Sequence, residues 1–271
     1  MPIAKLKNTN TYYEVHGAGE PLVLIHGLSG NASAWTLLMP YLEKHFQVIC
    51  YDMRGSGQTR FNDKAFNISD LADDLAELLD FLGMNKAHIL GHSMGGIIAQ
   101  DFAARYLEKI NRLILLHTRI QNTFVTQRFW EGLIHLRKKY NIPQQELVEL
   151  GAFWSFSPTF LANAENIKML KEWAAAYAYP QSVENFELQA NALKMFDGRP
   201  LTPKLSMPTL IVSGSEDILT PAQAMRDLAG TLPQTIYVEQ KGGAHCSTIE
   251  APEWLAKELY GFLQDAEAGA K

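Results

Sequence analysis

The chain has 271 residues, long for one ordinary domain and normal for a single α/β domain that carries an insertion. Its 47% hydrophobic and 20% charged residues suit a globular protein, and a net charge of −5 with an isoelectric point near 5.9 excludes a basic nucleic-acid-binding surface. The opening residues lack the apolar core of about 7–15 residues of a signal peptide, and no apolar run approaches the roughly 18 of a membrane span, so a cytoplasmic protein without a membrane span is expected.

Ile3–Lys7 and Tyr12–Val15 alternate around Asn8-Thr9-Asn10 and read as a hairpin. Pro21–Ile25 is continuously apolar, as in a strand buried on both faces, and it runs into His26-Gly27-Leu28-Ser29-Gly30. Gly27 keeps side chains out of that loop, so its amides, Leu28 first, are candidate donors to an oxyanion. The alternative is a plain turn in which Ser29-Gly30-Asn31 caps a helix over Ala32–Leu42. Phe46–Tyr51 is the next buried strand, followed by Asp52-Met53-Arg54-Gly55-Ser56-Gly57. These glycines do not meet a dinucleotide fingerprint, so no cofactor is expected, and Asp52 and Arg54 are assigned to bracing the loop. Ser69–Leu82 is an amphipathic helix with Ser69 as N-cap, and Asp70, Asp73, Asp74 and Glu77 read as its solvated face.

The stretch around which the chain is organised is 87–106. Ala87, Ile89 and Leu90 have strand character and apolar residues return at helical spacing from Ile97, so Gly91-His92-Ser93-Met94-Gly95 is a turn from strand to helix. That elbow strains Ser93, lifts its hydroxyl clear and aims the first helical amides, Met94 foremost, at whatever the oxygen attacks. After the strand Ile110–Leu116 the alternation implies right-handed crossovers and a parallel sheet, whose carboxyl edge is where a site belongs.

Residues 119–202 break the pattern with four helices near Phe124–Tyr140, Gln144–Phe153, Ala162–Ala178 and Val183–Phe196. The segment holds 13 of the chain's 28 Phe, Trp and Tyr residues. Either it is a lid whose aromatics line an apolar pocket, with Trp130, Phe153, Trp154 and Phe196 as wall candidates, or the aromatics hold a small helical subdomain together. The division expected is a core of 1–118 with 203–271 and a helical cap of 119–202. Strands resume at Pro208–Val212 and Thr235–Val238, with helices at Pro221–Leu232 and Trp254–Leu263 and a tail, Ala266–Lys271, that frays.

A serine needs a general base, and the base a carboxylate to fix its tautomer. Asp217 follows the strand Thr209–Val212, with Glu216 as the alternative acid, and His245 sits in the glycine loop before the last helix. Among the other histidines, His117 at a strand end is the chief rival. His26 is expected to brace its loop, His92 to turn its ring away from Ser93, and His16, His45, His88 and His135 lie outside the strand-end loops. Cys50 and Cys246 are expected as free thiols, Cys50 in the core, and no Cys/His cluster has metal-ligand spacing.

The motifs His26-Gly27, Asp52-Met53-Arg54-Gly55-Ser56-Gly57, Gly91-His92-Ser93-Met94-Gly95-Gly96, Gly214-Ser215-Glu216-Asp217 and Gly243-Ala244-His245 together resemble the α/β-hydrolase fold family, in particular its carboxylesterase and 3-oxoadipate enol-lactonase-like members, over essentially the whole chain. The resemblance implies a mostly parallel sheet flanked by helices, an inserted helical lid, and the chain order serine, acid, histidine, which puts His117 out of order. It implies Ser93, Asp217 and His245 as catalytic residues, Leu28 and Met94 as oxyanion donors, and hydrolysis of small, largely apolar esters or lactones through an acyl-enzyme, with neither cofactor nor metal. Serine rather than aspartate at the elbow speaks against dehalogenase or epoxide hydrolase chemistry. C–C bond hydrolysis, cofactor-free perhydrolase or haloperoxidase chemistry and acyl-carrier-protein esterase activity use the same triad and stay open, whereas a silent binding member is expected to have lost one of the three.

Overall fold

The computed structural model describes residues 2–264 apart from 63, 122, 141 and 143, so the tail expected to fray lies outside the described residues. Its strands are β1 (Ile3–Lys5), β2 (Thr9–His16), β3 (Glu20–Ile25), β4 (Phe46–Tyr51), β5 (Arg60–Phe61), β6 (Ala87–His92), β7 (Ile110–Leu116), β8 (Thr209–Gly214) and β9 (Thr235–Gln240). They form one sheet in the order β1-β2-β4-β3-β6-β7-β8-β9, with β5 on β2. From β4 to β9 all neighbours run parallel, and only the β1, β2 and β5 pairings and β2 on β4 are antiparallel.

Strand alternation decides which side each residue feeds. Val23 and Ile25 pack with Ile49, Ile89, Leu113 and Ile211 on one face, while Leu22 and Leu24 join Val48, Leu90, Ile114 and Leu210 on the other. Helices α1 (Met39–Leu42), α2 (Ile68–Phe81), α3 (Met94–Arg105), α9 (Ala222–Ala229), α10 (Ser247–Glu250) and α11 (Pro252–Gln264) flank the sheet. Leu71 and Leu75 of α2 and Ile97 of α3 cover the first face, and Leu255, Leu259 and Phe262 of α11 cover the second.

The insertion between β7 and β8 holds α4 (Phe124–Tyr140), α5 (Gln144–Ser155), α6 (Pro158–Leu161), α7 (Ala164–Ala176) and α8 (Val183–Lys194). It leaves and returns at one point, where Gln121 pairs with Asp197 and the Gly198 amide donates to the Ile120 carbonyl at 2.8 Å.

Three expectations are corrected. The helix expected over Ala32–Leu42 is a single 3₁₀ turn, Ala32–Trp35, capped by Asn31, followed by α1, because Pro40 suits only a first helical turn. Helix α2 starts after Asn67 rather than Ser69: Asn67 and Asp70 form a reciprocal capping box, with bonds of 3.0 and 2.8 Å. Asp74 is not on a solvated face but buried, in a bidentate pair with Arg54 at 2.5 and 2.8 Å.

Candidate active site

Strand β6 ends at His92 and α3 begins at Met94, which leaves Ser93 to make the whole turn at φ 54° and ψ −116°. Such a conformation costs a non-glycine residue on the order of 1–3 kcal/mol and persists only where the surroundings impose it. Here they do. The Ser93 amide donates to the Leu116 carbonyl of β7 at 2.9 Å, and Thr118 Oγ1 donates to the Ser93 carbonyl at 2.6 Å. A Cβ on Gly95 would overlap the Ile25 carbonyl, so only glycine lets α3 lie this close to β3.

The loop after β3 runs beside the same serine, since a Cβ on Gly27 would stand 3.1 Å from Ser93 Cβ. Leu28 is the next residue, and Ser29 turns the chain at φ 66°. Met94 opens α3, so its amide belongs to the first turn, which has no intrahelical acceptor. His26 is buried and neutral, burial having lowered its pKa: Nδ1–H donates to the Gly27 carbonyl at 2.8 Å and Nε2 accepts from the Met53 amide at 3.3 Å. Asp52 accepts from the amides of Ala32 and Gln58 at 2.8 and 2.7 Å. These bonds clamp the β3 and β4 loops together.

Asp217 follows β8 and sits in a turn of its own making. Its Oδ1 accepts from the amides of Leu219 and Thr220, both at 2.9 Å, the geometry an aspartate imposes on the two residues beyond its neighbour. Oδ2 accepts from Thr220 Oγ1 at 2.6 Å and from His245 Nδ1–H at 2.8 Å. Burial pushes this carboxyl up, but the charge of His245 and the contacts from both His117 and His245 overcome it and hold Asp217 well below the usual carboxylate range. Glu216 is exposed, and its amide bonds the Gly243 carbonyl. Of the two candidate acids the fold therefore brings Asp217 to the imidazole.

With Nδ1–H committed to Asp217, His245 keeps Nε2 as an acceptor. Its carbonyl accepts from His92 Nε2–H at 2.8 Å, so the His92 ring faces the backbone of His245. His117, the rival that chain order sets aside, also lies against the acid. It is fully buried at φ 44°, with Nδ1 3.3 Å from Asp217 Oδ2 but without the alignment of a good hydrogen bond, and Nε2 2.7 Å from Ser247 Oγ. Its position at the end of β7, between the β6 and β8 ends that carry Ser93 and Asp217, brings it there. Burial holds His92 and His117 on the neutral side, and in His92 the neighbouring histidine charges add to that.

A cavity of about 600 Å³ lies between these loops and the inserted helices, touched from below by Leu28, Leu219 and Ile249. Trp130 and Trp154 line it, as do Phe129, Trp173 and Phe186, which sequence did not single out. Phe153 and Phe196 do not. Phe153 is 68% exposed, because it is one step from Trp154 on α5 and successive helical residues point about 100° apart. Phe196 lies beyond the end of α8 and packs on the sheet-side core. The fold also gathers Glu14, His16 and Cys50 across β2 and β4, their donor atoms within 4.8 Å, a grouping invisible to linear spacing. They bond one another: His16 Nε2 meets Glu14 at 2.9 Å and the Cys50 thiol meets it at 3.8 Å.

A model of the alpha/beta hydrolase fold family matches residues 20–252. The chain belongs to the alpha/beta hydrolase fold family. This alpha/beta hydrolase is 29% identical over 270 residues to a protein of Azorhizobium caulinodans that carries the name carbamate hydrolase RutD, covering 98% of this chain and 100% of the relative. An Agrobacterium fabrum protein of the same name is 30% identical over 266 residues, covering 94% and 99%. Among solved structures, an enol-lactonase from Burkholderia xenovorans superposes with a TM-score of 0.87 at 25% identity, over 97% of this chain and 100% of that one. A thermophilic esterase from Thermogutta terrifontis shares the fold with a TM-score of 0.86 at 24% identity, over 97% and 98%. No helix among the described residues is long and apolar enough to cross a membrane.

Proposed function

We propose that this alpha/beta hydrolase is a serine hydrolase that cleaves carboxylic esters or lactones of small, largely apolar substrates through an acyl-enzyme intermediate. The observation that carries the reading is the arrangement at one sheet edge: a strained serine at the β6–α3 elbow, and a histidine whose Nδ1–H is fixed 2.8 Å from a carboxylate already held by three other donors. Ser93 Oγ attacks the carbonyl carbon as His245 Nε2 takes its proton, and the anionic Asp217 stabilises the imidazolium that results. The amides of Leu28 and Met94 receive the developing oxyanion, a contribution worth about 3 kcal/mol per donor in comparable sites. His245 returns the proton to the leaving alcohol, then activates the water that frees the acid and restores Ser93.

In this reading residues 119–202 are a cap over a core of 1–118 and 203–271, and the cavity beneath it receives the acyl or alcohol part. A carbamate is a second substrate type on the same route, since its carbonyl accepts the same attack. The relatives named carbamate hydrolase RutD, matched over nearly the whole chain, favour testing it. Purified protein assayed with p-nitrophenyl esters, simple lactones and carbamates, alongside fluorophosphonate labelling, tests the proposal. Turnover and a label on Ser93, both lost in Ser93→Ala, are expected; undiminished turnover in that variant overturns the reading.

A further inference from the structure

We propose that Arg137 makes the cap-side wall of the cavity an anion subsite, so that the preferred substrate bears a carboxylate on its apolar portion, away from the scissile carbonyl. The substrate class rests on the hydrolase reading above; the anion subsite does not. Among the described residues lining the cavity, Arg137 alone carries a charge at neutral pH. Its surroundings are aromatic: the guanidinium lies over the Phe186 ring, 5.3 Å from its centroid, and Trp130 meets the same ring edge-on at 5.9 Å.

Four other cations of the cap have carboxylate partners. Lys138 pairs with Glu187 at 2.5 Å, Lys171 with Glu149 at 3.0 Å, and Arg128 and Lys194 both with Glu131, at 2.9 and 3.0 Å. Arg137 has no carboxylate within 4.0 Å among the described residues. It donates one bond, from Nη2 to the Gln181 carbonyl at 2.8 Å, out of the five a guanidinium can make. Burial lowers its pKa, and Glu184 offsets this only from longer range. A half-buried guanidinium without a counter-ion is costly unless a ligand supplies one.

A second donor on a residue of the same wall is unused. Trp130 Nε1–H is buried and has no acceptor, although it belongs to the same wall. The orphan acceptor there, Gln181 Oε1, is neutral. Two donors, one of them charged, against a single neutral acceptor fit an oxyanion, and the planar fork of arginine fits a carboxylate through two parallel bonds. The net charge of −5 opposes anions at long range, so the recognition must be local and short-ranged. The aromatic walls select the rest of the ligand, an aryl or alkyl segment.

The test is a binding measurement on the wild-type protein, independent of turnover, by titration calorimetry or tryptophan fluorescence with 4-phenylbutyrate and its uncharged isostere 4-phenylbutanamide. The carboxylate should bind on the order of tenfold or more tightly, the range expected of a charge-assisted pair out of water. In Arg137→Gln that ratio should collapse toward one, and Arg137→Lys should retain part of it. Because each protein is compared only with itself, a loss of folded fraction cancels. Equal affinities in the wild type, no binding of either probe, or a ratio that survives in Arg137→Gln would overturn the subsite. Ester turnover without carboxylate preference removes this proposal and leaves the hydrolase reading standing, whereas carboxylate preference without ester turnover does the reverse.

Discussion

Helix α3 buries ten of its twelve residues, Met94 through Ala103, whereas α4 buries Thr126 alone among its seventeen. Helix α3 is wedged between the sheet and α2, with Leu71, Leu75, Ile97 and Phe102 in one continuous core. Helix α4 meets its neighbours through rings, Phe129 on Trp154 and Trp130 on Phe186, and through exposed ion pairs, Lys138 with Glu187 and Glu131 with Lys194. The element that bears the candidate nucleophile is thus fixed on every side, while the elements that wall the cavity rest on a few adaptable contacts. Positions needed for bond-making tolerate little displacement; positions that select a substrate have room to vary.

Substitutions and pH both offer ways to sharpen or break that contrast. Ser93→Ala should lower kcat on the order of 10⁶-fold, as removal of a serine-hydrolase nucleophile does, with the Tm little changed, since alanine keeps the same strained backbone. Asp217→Asn should cost ~10⁴-fold, by analogy with the serine-protease triad, and Glu216→Gln far less, as steady-state kinetics would report. The sign of the pH effect follows from the depressed pKa of Asp217. A carboxyl held below its ordinary value contributes stability that is complete above that value, and the contribution fades as pH falls toward the folded-state value. The Tm gap between wild type and Asp217→Asn should therefore narrow as pH falls below about 4.

Gly95→Ala should cost about 3 kcal/mol or more in denaturant melts, because its methyl meets the rigid Ile25 carbonyl. Trp130→Ala and Trp154→Ala should each shift the ester chain-length profile within ~1–3 kcal/mol, whereas Phe153→Ala should leave it flat; a shift only in the latter would redraw the cavity wall. The smallest effect should come from Gly132→Ala in α4, where an added methyl meets nothing and the helix gains roughly 0.5–1 kcal/mol. Opposite signs for the same substitution in α3 and α4 are the direct expression of the contrast.

The elbow could be read from sequence because its constraint is local: five consecutive residues must turn a strand into a helix. Asp217 and His245 were legible because a parallel sheet delivers successive strand ends to one edge, so chain order stands in for space. The approach of His117 to Asp217 follows from the sheet as well, since β7 lies between β6 and β8, but chain order alone does not give the distance. The burial of Asp74 depends on Arg54, twenty positions earlier on another loop, and no periodicity reports such a partner. The true start of α2 was readable, because Asn67 and Asp70 have capping-box spacing and Ser69 does not. Phe153 and Trp154 could not be told apart, because the phase of α5 on its neighbours is set by tertiary packing.

One pair of hydrogen bonds couples the two regions. The Cys246 amide, immediately after His245, donates to the Ser155 carbonyl at the end of α5 at 3.1 Å, and the Ser157 amide donates to Glu250 Oε1 at the same distance. The end of the helix that carries Trp154 is therefore stapled to the loop that carries the imidazole. A displacement of that corner would have to break both bonds, so the two regions are tied in position as well as adjacent.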